Sequence, residues 1–132
     1  MIEKYKKLID RLSDLTSDDR GSVIWRVLFH EIWLTLNPEP DDVKDKWIYI
    51  AASGHCETLI DNNSFEQLVI SLIPKGFNYF ISSDSPCRIT NRIKGRLWFW
   101  EAELKTPSAS LCAAILTYHL NVLEKPIWLS EE

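Results

Sequence analysis

The segment 87–104, CRITNRIKGRLWFWEAEL, constrains the fold more than any other part of the chain, because two runs of β-forming residues flank Lys94 and Gly95. A glycine in a two-residue turn readily adopts the positive φ that a tight hairpin needs. The segment therefore predicts an antiparallel hairpin. Its register pairs Ile93 with Arg96, Asn91 with Trp98, Ile89 with Trp100, and Arg88 with Glu101.

This register gives the hairpin an apolar face and a mixed face. The expected apolar face consists of Ile89, Ile93, Trp98, Trp100 and Leu104. The opposite face consists of Arg88, Thr90, Arg92, Leu97, Phe99 and Glu101. A slip of one residue would exchange core and surface positions, so the register is strongly specified. We expect the two tryptophans to lie in the core.

Four segments carry helical signals. Apolar residues recur at helical spacing over residues 2–15, and again from a cap at Ser17 to about Leu36, where a proline-rich stretch follows. A third, short helix is expected after Ser64, with Gln67 at the capping-box position. The fourth runs from Thr106 to Leu123, since a capping hydroxyl followed by proline is a strong helix start.

Two further segments favour strands. Residues 47–52 (WIYIAA) and 77–83 (FNYFISS) are rich in aromatic and β-branched residues. The predicted order is thus α-α-β-α-β-β-β-α. It corresponds to an α+β fold, an antiparallel sheet of about four strands packed by helices, in a single domain over residues 1–132.

Composition excludes several classes of protein. Hydrophobic residues make up 45% of the 132 residues, which is enough for a core, and the net charge of −4 argues against a general binder of duplex nucleic acid. The chain has three cysteines, an odd number without paired spacing, which argues against a fold held together by disulfides. No apolar run reaches the roughly 20 residues that span a bilayer. We therefore expect a soluble, cytoplasmic protein with no membrane partner.

Three stretches resemble a known family, in the order in which that family has them. They are the opening YKKLIDRLSDL, the central SFEQLVISLIPKGF and the closing LKTPSASLCAAILTYHL. Together they resemble the phage ABA sandwich domain family of small phage and prophage proteins. The resemblance implies an alpha/beta sandwich fold and the cytoplasm of an infected bacterial host, and it brings no catalytic residue.

Signals for catalysis are weak. His55 and Cys56 are neighbours in a predicted extended segment, so their side chains should point to opposite faces rather than pair. The three histidines and three cysteines include no closely spaced pair of metal ligands. We expect no enzymatic activity, no metal and no cofactor.

The charge distribution points to one candidate site. Residues 74–105 contain six basic and three acidic residues, a net charge of +3, against −7 for the remainder. Arginine recognises phosphate through paired hydrogen bonds, and aromatic rings stack on bases. The candidate ligand-binding residues are Arg88, Arg92, Lys94, Arg96 and Phe99. The alternative is that Arg88 and Glu101 form an ordinary cross-strand pair and that the hairpin is merely solvated.

Two functional hypotheses follow. In the first, a small phage accessory protein binds without catalysis and sequesters an anionic nucleotide signal of a host defence system. In the second, it is a protein-interaction or oligomer-forming module that binds a host defence protein or a second copy of itself. Six tryptophans exceed what a small core needs, so an exposed Trp33 or Trp128 would mark the surface used in the second case.

Overall fold

The computed structural model describes residues 1–124, and these form two compact units. One unit consists of residues 18–72. The other combines residues 1–17 with residues 73–124. The single domain expected over residues 1–132 stays a prediction.

The unit built from both ends of the chain contains a sheet and two helices. Helix α1 spans Ile2–Leu12, strand β1 Asn78–Phe80, β2 Cys87–Ile93, β3 Arg96–Ala102 and helix α5 Pro107–Leu123. The sheet order is β1-β2-β3, with both pairs antiparallel. Helix α5 packs against β2 and β3, and α1 packs against α5.

The hairpin prediction is confirmed in its register. Arg88 pairs with Glu101, Ile89 with Trp100, Asn91 with Trp98 and Ile93 with Arg96. Lys94 and Gly95 both have positive φ, 54° and 81°, so the turn uses the left-handed conformation at both central positions. The local sequence was sufficient to predict this register, because the turn residues and the alternation of apolar and polar residues specify the same strand pairing.

The core of this unit lies between the sheet and α5. Trp100 is 7% exposed, and its ring lies 4.9 Å from that of Tyr118 and 6.1 Å from that of Phe77. Its indole nitrogen donates to Asn121 Oδ1 at 3.3 Å. Trp98 is half-buried. The expected core position is thus confirmed for Ile89 and Trp100, whereas Ile93, Trp98 and Leu104 are only half-buried.

Residues 18–72 form a helical unit. A 3-10 turn at Ser17–Asp19 leads into α2 (Val23–Leu36), α3 (Val43–Asp61) and α4 (Phe65–Ser71). The rings of Trp25, Phe29 and Phe65 contact one another at 4.9–5.6 Å. Arg20 lies over two of these rings and also pairs with Glu66 at 2.6 Å. This cluster joins the start of the unit to its last helix.

The strand predicted at residues 47–52 is wrong, because these residues belong to α3. The Asp42 side chain accepts a hydrogen bond from Lys44 N at 2.7 Å and caps the helix. Helical spacing then continues beyond the β-forming run to bury Cys56, Leu59 and Ile60. The Asp42 cap and burial in the last turns of α3 thus outweigh the local β-propensity of residues 47–52. Among residues 1–124 the sheet therefore has three strands rather than about four, within an α+β arrangement.

Other boundaries differ more modestly. Helix α1 ends at Leu12 rather than residue 15, α2 begins at Val23 after Gly21 at φ 84°, and β1 covers only three residues. Ser64 makes no side-chain capping bond. The short third predicted helix and the Thr106–Leu123 helix are confirmed as α4 and α5. Trp33 is 5% exposed, because it packs on Tyr49, so its expected exposure is wrong. Trp128 lies outside the described residues.

Candidate functional site

The three-stranded sheet has one face that α5 leaves uncovered. Alternation along the strands and the observed register place seven larger side chains there: Phe80, Arg88, Thr90, Arg92, Leu97, Phe99 and Glu101. We call these residues the open sheet face. Its apolar members are strongly exposed, with Phe80 at 52%, Leu97 at 61% and Phe99 at 51%. Three such exposed side chains beside two arginines are typical of a binding surface.

Arg88 is held by two neighbours on this face. Its Nη2 lies 3.1 Å from Glu101 Oε2, and its guanidinium carbon lies 5.1 Å from the centre of the Phe99 ring. The cross-strand ion pair considered from the sequence therefore forms. The same contacts hold the guanidinium plane over the aromatic ring, where a base could stack on it. Ligand binding and pairing with Glu101 are compatible roles for this residue.

Arg92 lies two residues further along β2 on the same face. Its side chain is exposed and forms no ion pair with any residue between 1 and 124. An exposed guanidinium without a carboxylate partner keeps all its donors available for a phosphate. Arg92 is thus the cation on the open sheet face that is best placed for an anion.

Phe80 and Phe99 provide two separate aromatic surfaces. Phe80 on β1 stands in the same cross-strand row as Arg88, whereas Phe99 on β3 stands in the row of Thr90. Two strand spacings separate β1 from β3, about 10 Å, so one base cannot contact both rings. The arrangement suits a ligand with two bases, with Arg88 between the aromatic rings.

The remaining predicted residues are placed differently. Lys94 lies in the hairpin turn, and Arg96 pairs with Ile93 on the opposite side of the sheet from Arg92. Three of the five predicted residues, Arg88, Arg92 and Phe99, share the open sheet face. Lys94 and Arg96 contribute positive charge at the hairpin end.

Sequence reasoning missed Phe80. The run 77–83 was identified as a strand, but its pairing to the hairpin was not predicted, so Phe80 could not be placed beside Arg88. The alternation of Asn78 and Phe80 with the inward Phe77 was the available signal. Without a partner strand, alternation does not say which face is covered.

The thiols are poor nucleophiles. Burial raises the pKa of Cys56 to about 11, and the adjacent Glu57 carboxylate adds to this effect. Burial also raises the pKa of Cys87 and of Cys112. His55 is exposed beside the buried Cys56 on helix α3, so the two side chains lie apart although the segment is helical rather than extended. A thiolate–imidazole pair does not form there.

Residues 1–124 contain neither a cluster of metal ligands nor a helix that could span a membrane. Among residues 1–124, no group of three histidine, cysteine, aspartate or glutamate side chains could hold a metal ion. Within the same range, no helix has the length and apolar character needed to cross a bilayer. No family model matches the chain, and neither the curated proteins nor the solved structures compared with it gave a match.

Proposed function

We propose that this is a non-catalytic binding protein that holds an anionic nucleotide on its open sheet face. The observation that carries the proposal is the combination of Arg92, which has no carboxylate partner among residues 1–124, with the exposed rings of Phe80 and Phe99 on one face. A nucleotide offers the matching chemistry, since phosphates pair with arginine and bases stack on aromatic rings.

The ligand we favour carries two bases. One base stacks on Phe80, the other on the guanidinium plane of Arg88 above Phe99, and a phosphate pairs with Arg92. Such a protein needs no chemical step, because tight binding alone removes a signal from solution. In the phage setting that the family resemblance implies, the ligand would be a nucleotide signal of a host defence system.

The test is calorimetric titration with a cyclic dinucleotide and with ATP. Arg92→Ala removes one charge-assisted contact, so we expect roughly tenfold to hundredfold weaker binding of the dinucleotide. Phe80→Ala should also weaken it, since it removes a stacking surface. Thermal stability should change little in both variants, because both side chains are exposed.

Arg26→Ala is the matched control, since it removes an equal charge from the exposed surface of α2. It should bind as the parent does. If all three single variants, at Arg88, Arg92 and Arg96, bound the dinucleotide as tightly as the parent, the hairpin would be only a solvated surface. Absence of binding to either nucleotide would also count against the proposal.

A second candidate function, protein interaction, is favoured by a different observation. Helix α3 exposes Val43, Trp47, Ile48 and Ile50, four large apolar side chains within eight residues. Solvent-exposed tryptophan in such a cluster is typical of interfaces. The function would then depend on α3 rather than on the sheet, and variants of the open sheet face would leave it unchanged.

A further inference from the structure

Helix α3 carries a stripe of residues whose large side chains are strongly exposed. Val43, Trp47, Ile50 and Gly54 follow one another at intervals of four, three and four residues, which places them along one side of the helix. We call these residues the α3 stripe. Val43 and Trp47 are each 71% exposed and Ile50 is 59% exposed. This is the spacing by which one helix packs along another.

Gly54 is the informative member of the stripe. It lies in the interior of α3, where glycine lowers helix stability relative to alanine. Its backbone does not have positive φ, and a Cβ atom built on it would meet no atom within 4 Å. No contact within residues 1–124 therefore requires a glycine at this position. Close packing of a helix or side chain from another molecule would require one.

We propose that α3 packs antiparallel against α3 of a second copy, with Trp47 lying over Gly54 of the partner subunit. The stripe begins with the large residues Val43 and Trp47 and ends at Gly54, and the small residue Ala51 lies on its flank. Antiparallel pairing about a two-fold axis between Ile50 and Ala51 sets Trp47 opposite Gly54 and Ile50 opposite Ala51 of the partner subunit. Parallel pairing would instead oppose the two indoles and leave the two glycines facing a gap.

This pairing is closed and self-complementary, as a two-fold interface requires. A helix of 19 residues is about 28 Å long, so one helix pair buries less than the roughly 800 Å² per partner of a standard interface. We therefore expect a dimer that dissociates in the micromolar range. A helix face with residues of uniform size, or with polar residues only, would not give this match between large and small residues.

Sedimentation equilibrium over about 1–200 µM protein tests the assembly. The parent should change from monomer to dimer over this range, whereas Trp47→Ala and Gly54→Leu should remain monomeric at the highest concentration. Ile24→Ala is the matched control, since it removes an equally exposed apolar side chain from α2 and should dimerise as the parent does. Circular dichroism should show unchanged helix content in every variant.

Cysteine cross-linking tests the orientation. Ala51→Cys places a thiol beside the two-fold axis, whereas Ala52→Cys places one on another side of α3, in the groove lined by Trp33 and Tyr49. The native cysteines are buried and should give little background. Mild oxidation should yield a disulfide-linked dimer for Ala51→Cys and little for Ala52→Cys.

Three results would overturn the proposal. A parent chain that stays monomeric throughout would assign the stripe to a different partner. Equal dimerisation of Gly54→Leu and the parent would show that the glycine is not in an interface. Equal cross-linking of both cysteine variants would exclude the antiparallel arrangement.

Discussion

His119 is a titratable group placed among aromatic rings. Its imidazole lies 6.3 Å from the Tyr5 ring, nearly parallel to it, and 5.1 Å from the Tyr118 ring. Burial lowers the pKa of His119 below its ordinary value of 6.5, because the charged imidazolium would lose its hydration. Near neutral pH it therefore acts as a neutral aromatic spacer between α1 and its own helix.

The lowered pKa has a definite consequence for stability. The unfolded chain binds a proton at His119 more readily than the folded chain does. The contribution of His119 to the free energy of unfolding is therefore fully present above pH 6.5 and decreases as the pH falls below it. Urea unfolding at about pH 7.5 and pH 5.5 should show this loss. In His119→Gln the decline over the same interval should be smaller. An identical decline in both proteins would assign the pH dependence to other groups.

At the scale of single elements, the start of α5 and the start of α2 form a natural comparison. The Thr106 side chain accepts a hydrogen bond from Ala109 N at 3.3 Å, whereas Ser22, at the same position of α2, makes no side-chain capping bond. The Ser22 hydroxyl is in fact buried and has no hydrogen-bond partner among residues 1–124. These two hydroxyl residues therefore differ in role, because Thr106 caps its helix through its side chain and Ser22 does not.

Thr106→Ala should thus lower the free energy of unfolding by about 1 kcal/mol, while Thr106→Ser should retain most of it. Ser22→Ala should lower it little, since the substitution removes a buried polar atom that has no partner in the described part of the chain. Chemical denaturation of the three variants provides the measurement. A larger loss from Ser22→Ala than from Thr106→Ala would contradict this assignment of the caps.

Elements were predictable where local signals agreed. The hairpin and α5 combine a specific turn or cap with a matching apolar pattern, so their bounds and register followed from the sequence. The strand prediction for residues 47–52 was wrong, because their β-propensity is outweighed by the helical burial of Cys56 and Ile60, which lie several residues away. For the candidate site, Arg88, Arg92 and Phe99 were predictable from the hairpin alone. Phe80 was not, because its position depends on a long-range strand pairing.

For the whole molecule, charge separates the two proposed surfaces. Residues 18–72 contain ten acidic and four basic residues, a net charge of −6, whereas the rest of the chain has a net charge of +2. The open sheet face belongs to the positive part and the α3 stripe to the negative part. An anionic ligand is thus attracted to one surface, while two copies meeting through the other repel each other electrostatically.

Added salt should therefore act on the two surfaces in opposite directions. Screening weakens the attraction between Arg92 and a phosphate, so dinucleotide affinity should fall several-fold between about 50 and 500 mM NaCl. The same screening reduces repulsion between two negative helical units, so the dimer should form at lower protein concentration. Titration and sedimentation at the two salt concentrations measure both effects. If dimerisation weakened with salt instead, attraction between charged groups would govern it, and apolar packing of Trp47 on Gly54 would not be its basis.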